Sequence, residues 1–146
     1  MDKVIINKKE QTQEEFFLDY INFLEGIKTH CKTMHWAIAN VNVKDKRGAH
    51  IYLDDFLGIV SNYQDMIAEV TQGILGNYIT NSSVKGKAVP RGVAETPYDL
   101  CQWLLDNVIN FYDSLDISTY IGIKSETETF IKDIQRYNYL FSLCIV

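Results

Sequence analysis

The chain has 146 residues, close to half of them hydrophobic, with 14 Lys and Arg against 19 Asp and Glu for a net charge of −5. That length supports one domain with a single core, and the composition excludes a disordered chain. The acidic balance argues against an overall cationic binder of nucleic acid, and no apolar run approaches the length of a membrane span.

The first helix is predicted to start near Thr12, where Thr12-Gln13-Glu14-Glu15 forms a capping box, and to run to about Asn40. Phe16, Tyr20, Phe23, Leu24, Ile27, Cys31, Met34 and Ile38 recur at three- and four-residue spacing, the mark of one buried helical face. Residues 1–11 precede it as a flexible arm. The polar segment Val41–Gly48 reads as a turn. A second helix is expected over Ala49–Leu75, with Leu53, Leu57, Val60, Ile67, Val70 and Ile74 inward and Gly76 as its stop.

Gly76–Glu95 holds three glycines and Pro90, and is too long for a tight turn between neighbouring helices. It reads as a crossover connection that could carry a short helical turn. Thr96-Pro97-Tyr98-Asp99 is a strong helix start, and Leu100, Trp103, Leu104, Val108, Phe111 and Leu115 give the third helix its inner face. After a connection through Ile117–Lys124, the box Ser125-Glu126-Thr127-Glu128 is expected to open a fourth helix. That helix buries Phe130, Ile134, Tyr137, Phe141 and Leu143 or Cys144. Two helices, a long crossover and two more helices describe an all-α, ferritin-like four-helix bundle in a single domain.

Cys31, Cys101 and Cys144 are odd in number and far apart, so they read as buried small hydrophobes rather than disulfides or a zinc site. The opening MDKVIINKKEQTQEE lacks the features of a signal peptide, which makes the cytoplasm the expected compartment.

The second helix carries the chemistry. At about 100° per residue, His50, Asp54, Asp65 and Glu69 fall on one stripe roughly 100° wide. Each close pair is spaced i, i+4, so its two side chains can share a metal. Asp54 and Asp65 are separated by about 16 Å along the axis, however, so one helix cannot close a site with all four. A second copy crossing antiparallel can. With a two-fold axis between Ile59 and Val60, His50 meets Glu69 of the partner subunit and Asp54 meets Asp65 of the partner subunit. Gly58 and Ser61 beside that axis are small enough to allow close approach.

His35-Trp36, near the end of the first helix, completes a wider pattern. A helix-one histidine immediately before tryptophan, then His50-x-x-x-Asp54, then Asp65-x-x-x-Glu69, resembles the Dps mini-ferritins, a branch of the ferritin superfamily. The resemblance covers residues 12–145 in plan and is most specific over 35–69. It implies that His35, His50 and Asp54 of one subunit bind iron together with Asp65 and Glu69 of the two-fold mate. These five would be both the metal ligands and the residues that support oxidation of Fe(II) by hydrogen peroxide or oxygen. Zinc or manganese would also suit such ligands.

The same resemblance implies a homo-oligomer built on the antiparallel helix-two dimer, up to the family's dodecameric shell, with iron storage or detoxification as its task. The stretch between His35 and His50 is longer than is usual in that family, and the third helix is short, so the dimer is the firmer expectation. The connections also resemble those of ferritin-like proteins of tailed phages, for which the compartment would be the host cytoplasm.

Trp36 could shield the centre, but a packed aromatic is the expected role. His30 lies away from His35 in helical phase and reads as structural or exposed. Lys3, Lys8 and Lys9 form a small basic arm too weak to hold DNA strongly. Lys85, Lys87 and Arg91 make the crossover basic without forming a phosphate-binding loop. The rival reading is a ferritin-like structural or interaction protein without useful ferroxidase turnover. A nucleoid-type DNA binder is disfavoured by the charge.

Overall fold

A computed structural model describes residues 3–6 and 9–145; Lys8 of the basic arm lies outside the described residues. Strands β1 (Lys3–Ile6) and β2 (Lys9–Thr12) pair antiparallel ahead of the first helix, Lys3 opposite Thr12 and Ile6 opposite Lys9. Four helices follow: α1 (Gln13–Trp36), α2 (Lys46–Leu75), α3 (Pro97–Asp113) and α4 (Ile121–Ser142). Among the described residues the protein is a four-helix bundle preceded by a short hairpin, as its apolar periodicity predicts for the helices. No helix among the described residues is long and apolar enough to cross a membrane.

Two starts follow the sequence signals closely. The Thr12 hydroxyl accepts from the Glu15 amide at 3.1 Å while the Glu15 carboxylate accepts from the Thr12 amide at 3.0 Å. Thr96 caps α3 by accepting from the Asp99 amide, with Pro97 at the first helical position. Gly76 ends α2 at φ +93°, a conformation that suits glycine.

Other boundaries differ from expectation. Helix α1 stops at Trp36 and a 3₁₀ turn over Ile38–Asn40 takes its place. Helix α2 begins three residues early because Asp45 accepts from the Gly48 amide and caps it. Helix α4 begins at Ile121, so the Ser125 box lies inside the helix and caps nothing. Its buried stripe starts with Ile123 and Thr127, and the Lys124 amine donates at 2.8 Å to the carbonyl of Tyr112 near the end of α3. Burial and this tie set the start, whatever the local box suggests. Among the described residues the connection 76–96 carries turns and no helical segment.

One level of the core ties all four helices. The Tyr20 ring of α1 stacks on Phe111 of α3 at 3.5 Å between centroids. Its hydroxyl shares a 2.9 Å hydrogen bond with that of Tyr63 on α2, which shares another, also 2.9 Å, with Thr127 on α4. Burial pushes both phenols well above their ordinary pKa, so they stay neutral donors inside the bundle. Cys31, Cys101 and Cys144 are buried free thiols, as expected, although Cys144 lies in the turn just past α4.

Two inner positions of α2 are corrected. Val70 and Ile74 are exposed, because Thr71 faces inward, donates to the Ile67 carbonyl and meets the Tyr78 hydroxyl. Leu143 is exposed while Cys144 is buried, which settles that alternative. Trp103 and Tyr137 are only half-buried.

The contacts also fix direction. Tyr20 opposite Tyr63 and His35 beside His50 make α1 and α2 antiparallel. Phe23 beside Trp103 and Phe16 on Phe111 make α1 and α3 antiparallel, so α2 and α3 point the same way. The connection between them returns along α1. Asn22 accepts from the amides of Lys85 and Gly86 through its side chain, and from the amide of Lys87 through its carbonyl. A side chain on Gly26 would overlap the Lys87 carbonyl. Farther on, His30 Nε2 donates to the Ala94 carbonyl at 2.7 Å. Asn22, Gly26 and His30 thus make one stripe, spaced by four, that seats the connection.

Candidate metal centre

The inner face of α2 is set by Leu53, Phe56, Val60 and Ile67, all fully buried. The same periodicity turns His50, Asp54, Asp65 and Glu69 outward, and all four are exposed. None of the three carboxylates has a hydrogen bond or ion pair to another described residue. A solvated face would look the same in an isolated chain; the differences lie in what surrounds the stripe.

The first is the approach of His35 to His50. Their rings stack with centroids 3.8 Å apart and planes inclined by 21°. His35 Nδ1 is 2.9 Å from the backbone carbonyl of His50. A carbonyl can only accept, so Nδ1 is the donor in this hydrogen bond. Histidines that ligate metals are oriented in this way, with the second nitrogen donating to a carbonyl or carboxylate. The sequence placed these two histidines in one set, and the structure brings them together across the 41–45 turn.

The second is the groove beside the stripe. Asp54, Leu57, Gly58 and Ser61 of α2 form one wall, and Glu25, Lys28, Thr29 and Lys32 of α1 the other. A methyl group built on Gly58 would meet nothing within 4 Å. The small residues next to the midpoint of the two predicted ligand pairs therefore leave an open lane along α2.

The third is beneath the stripe. Gln64 is only 6% exposed, and its amide is fully used. It donates to the Ile21 carbonyl at 3.1 Å and the Glu25 carboxylate at 2.9 Å, and accepts from the Lys28 amine at 2.9 Å. This bridge holds α1 at a fixed height against α2. From the sequence alone, a glutamine between Tyr63 and Asp65 reads as part of a polar face.

The structure does not bring all five predicted ligands together in one chain. Asp65 and Glu69 lie well along α2 from His35, His50 and Asp54, and no group of three His, Cys, Asp or Glu among the described residues is placed to hold a metal ion. Trp36 is not a packed aromatic in the single chain: it is 70% exposed, with the Lys32 amine 5.6 Å from its ring centre. His30 is structural, as its hydrogen bond to the connection shows.

Comparison with protein-family models, curated proteins and solved structures gives no match. The functional reading therefore rests on this geometry and on the spacing of the residues that make it.

Proposed function

We propose that the chain is a Dps-like, ferritin-like protein that takes up Fe(II) and oxidises it at sites shared by two subunits. The observation that carries this reading is the outward stripe of α2. It holds two proposed ligand pairs, whose carboxylates have no partner among the described residues, with a common midpoint between Ile59 and Val60, and His35 is held beside the first pair by the His50 carbonyl. A two-fold at that midpoint supplies each half-set with its complement: His35, His50 and Asp54 from one chain, Asp65 and Glu69 from the other.

The direction of the helices supports the ferritin-like reading, since α2 and α3 run parallel and the connection follows α1 from Asn22 to His30. The interior supports an intersubunit site over one inside the bundle. Ferritin-like di-iron proteins draw inward-pointing carboxylates from several helices. Here the buried polar side chains among the described residues are Gln13, Gln64, Thr71 and Thr127, with no carboxylate.

Iron is the substrate. Imidazole and carboxylate donors with open positions suit Fe(II), and the carboxylates favour the harder Fe(III) product. Two Fe(II) ions each give one electron to a peroxide, whose O–O bond breaks to yield two waters on uptake of two protons. Oxidation and uptake of iron would serve its storage or detoxification. Zinc and manganese fit the same donors without that turnover.

Metal analysis and stopped-flow absorbance after Fe(II) addition test the proposal. His50→Ala and Glu69→Ala should each abolish rapid oxidation while leaving the helical fold intact, since both side chains are exposed. Unchanged binding and oxidation in both variants would remove the site. The second reading, a structural or interaction protein without turnover, draws on the closed His35–His50 stack; it predicts no metal-dependent change in that pair.

A further inference from the structure

We propose that Lys32 competes with the metal: in the metal-free dimer its ammonium pairs with Asp65 and Glu69 of the partner subunit, and a divalent cation displaces it. This rests on the intersubunit reading above and adds the regulation of that site.

The argument is one of register. Tyr20 meets Tyr63, Gln64 reaches the Ile21 carbonyl, and His35 lies on His50, so α1 and α2 run antiparallel in a fixed alignment. That alignment sets Lys32 level with Leu53 and Asp54, which agrees with Lys32 and Asp54 lining one groove. A two-fold midway between Ile59 and Val60 brings that level opposite Met66 of the partner subunit, between the partner's Asp65 and the partner's Glu69. The groove opens beside the ligand stripe, so a lysine on its α1 wall lies within reach of the incoming helix.

Charge selects the lysine and the occupant. Lys28 is already engaged, with its amine 2.9 Å from the Gln64 side-chain oxygen and 3.4 Å from the Glu25 carboxylate. Lys32 is exposed, and among the described residues its ammonium is engaged only with the ring of Trp36. Asp65 and Glu69 have no cation of their own among the described residues. Closing the dimer without metal would crowd Asp54 against Asp65 and Glu69 of the partner subunit, three carboxylates in one place. Like charges oppose association unless a counter-charge enters. The surface that supplies it is a second copy of this chain.

A metal ion in the same position supplies the charge more compactly, through direct ligand bonds. The ammonium then has no role there and swings back toward Trp36 and solvent. Lysine is suited to this, being a flexible point charge with little geometric demand.

Zero-length carbodiimide coupling of the full chain tests the pairing. Dimers mixed from normal and ¹⁵N-labelled chains would reveal by mass which cross-links join two subunits. The expected product is a Lys32–Asp65 or Lys32–Glu69 amide between subunits, formed without metal and suppressed by Zn²⁺. In Lys32→Gln, the metal-free dimer should dissociate roughly twofold to fivefold more readily at low salt, and Zn²⁺ should bind tighter by a similar factor. Absence of the intersubunit amide, or an amide indifferent to Zn²⁺, overturns the proposal. So does unchanged or weaker Zn²⁺ binding by Lys32→Gln. If Zn²⁺ still binds and still needs His50 and Glu69, only the lysine's part has failed. If the amide forms but Zn²⁺ never binds, the metal reading itself has failed and displacement falls with it.

Discussion

Gly58→Ala separates the stability of the chain from its association. In the single chain Gly58 lies exposed within α2, and an added methyl meets nothing within 4 Å. Replacing a mid-helix glycine by alanine then stabilises the fold by about 0.5–1 kcal/mol. In the proposed two-fold dimer the same methyl would stand beside the axis, where helices pack with axes about 8–10 Å apart. An extra methyl in such a contact costs about 1–3 kcal/mol, and symmetry places one on each side. At the lower bound the dimer is weakened by about 2 kcal/mol, roughly thirtyfold in its dissociation constant. Gly73→Ala is the control, since Gly73 is also exposed on α2 with nothing within 4 Å but lies far from the axis. Urea denaturation at low concentration should show both variants more stable than the parent. Sedimentation equilibrium should show only Gly58→Ala dissociating more readily. If the two variants dimerise alike, the helix-two interface is wrong.

The remaining expectations address the scaffold. Gly26→Ala sets a methyl against the Lys87 carbonyl, whose carbon would lie only 2.7 Å away, and so pushes the connection off α1. Overpacking of about 1–3 kcal/mol, plus about 1 kcal/mol for each hydrogen bond to Asn22 that is lost, outweighs the helix gain. Thermal unfolding should fall clearly below the parent, and amide exchange should rise at 85–87; an unchanged melting point would show that the connection yields freely. Burial pushes the Cys31 thiol up to about 12, so it should resist alkylation at pH 8 until the chain unfolds. Because the unfolded thiol ionises first, this burial contributes stability below the ordinary thiol pKa that is progressively lost above it. Alkylation of Cys31 at the rate of a free peptide thiol would contradict its place in the core.

What could be read from the sequence was mostly local or periodic. Thr12 and Thr96 cap their helices because the bonds involved span three residues, and no tertiary contact competes. The Ser125 box has the same letters but lies inside α4, since the buried stripe extends back through Thr127 to Ile123. Val70 and Ile74 fit the period of α2, yet Thr71 turns inward to meet Tyr78, a residue beyond the helix end. The stripe of His50, Asp54, Asp65 and Glu69 was legible because helical phase alone puts them together. The stacking of His35 on His50 was not, as it depends on how the 41–45 turn closes. Asn22, Gly26 and His30 share a spacing but no common chemistry, so their joint role emerges only when the connection lies against them.

The central claim is that each metal site is assembled from two chains, and complementation measures it directly. His50→Ala spoils one half-set and Glu69→Ala the other, so each homodimer has two damaged sites. A dimer with one chain of each kind has one site damaged on both sides and one fully intact. Zn²⁺ or Fe(II) loading of such purified mixed dimers should therefore recover half the metal of the parent, while each variant alone binds none at the site. Mixed dimers that bind no more than the two variants alone would contradict a site shared between subunits.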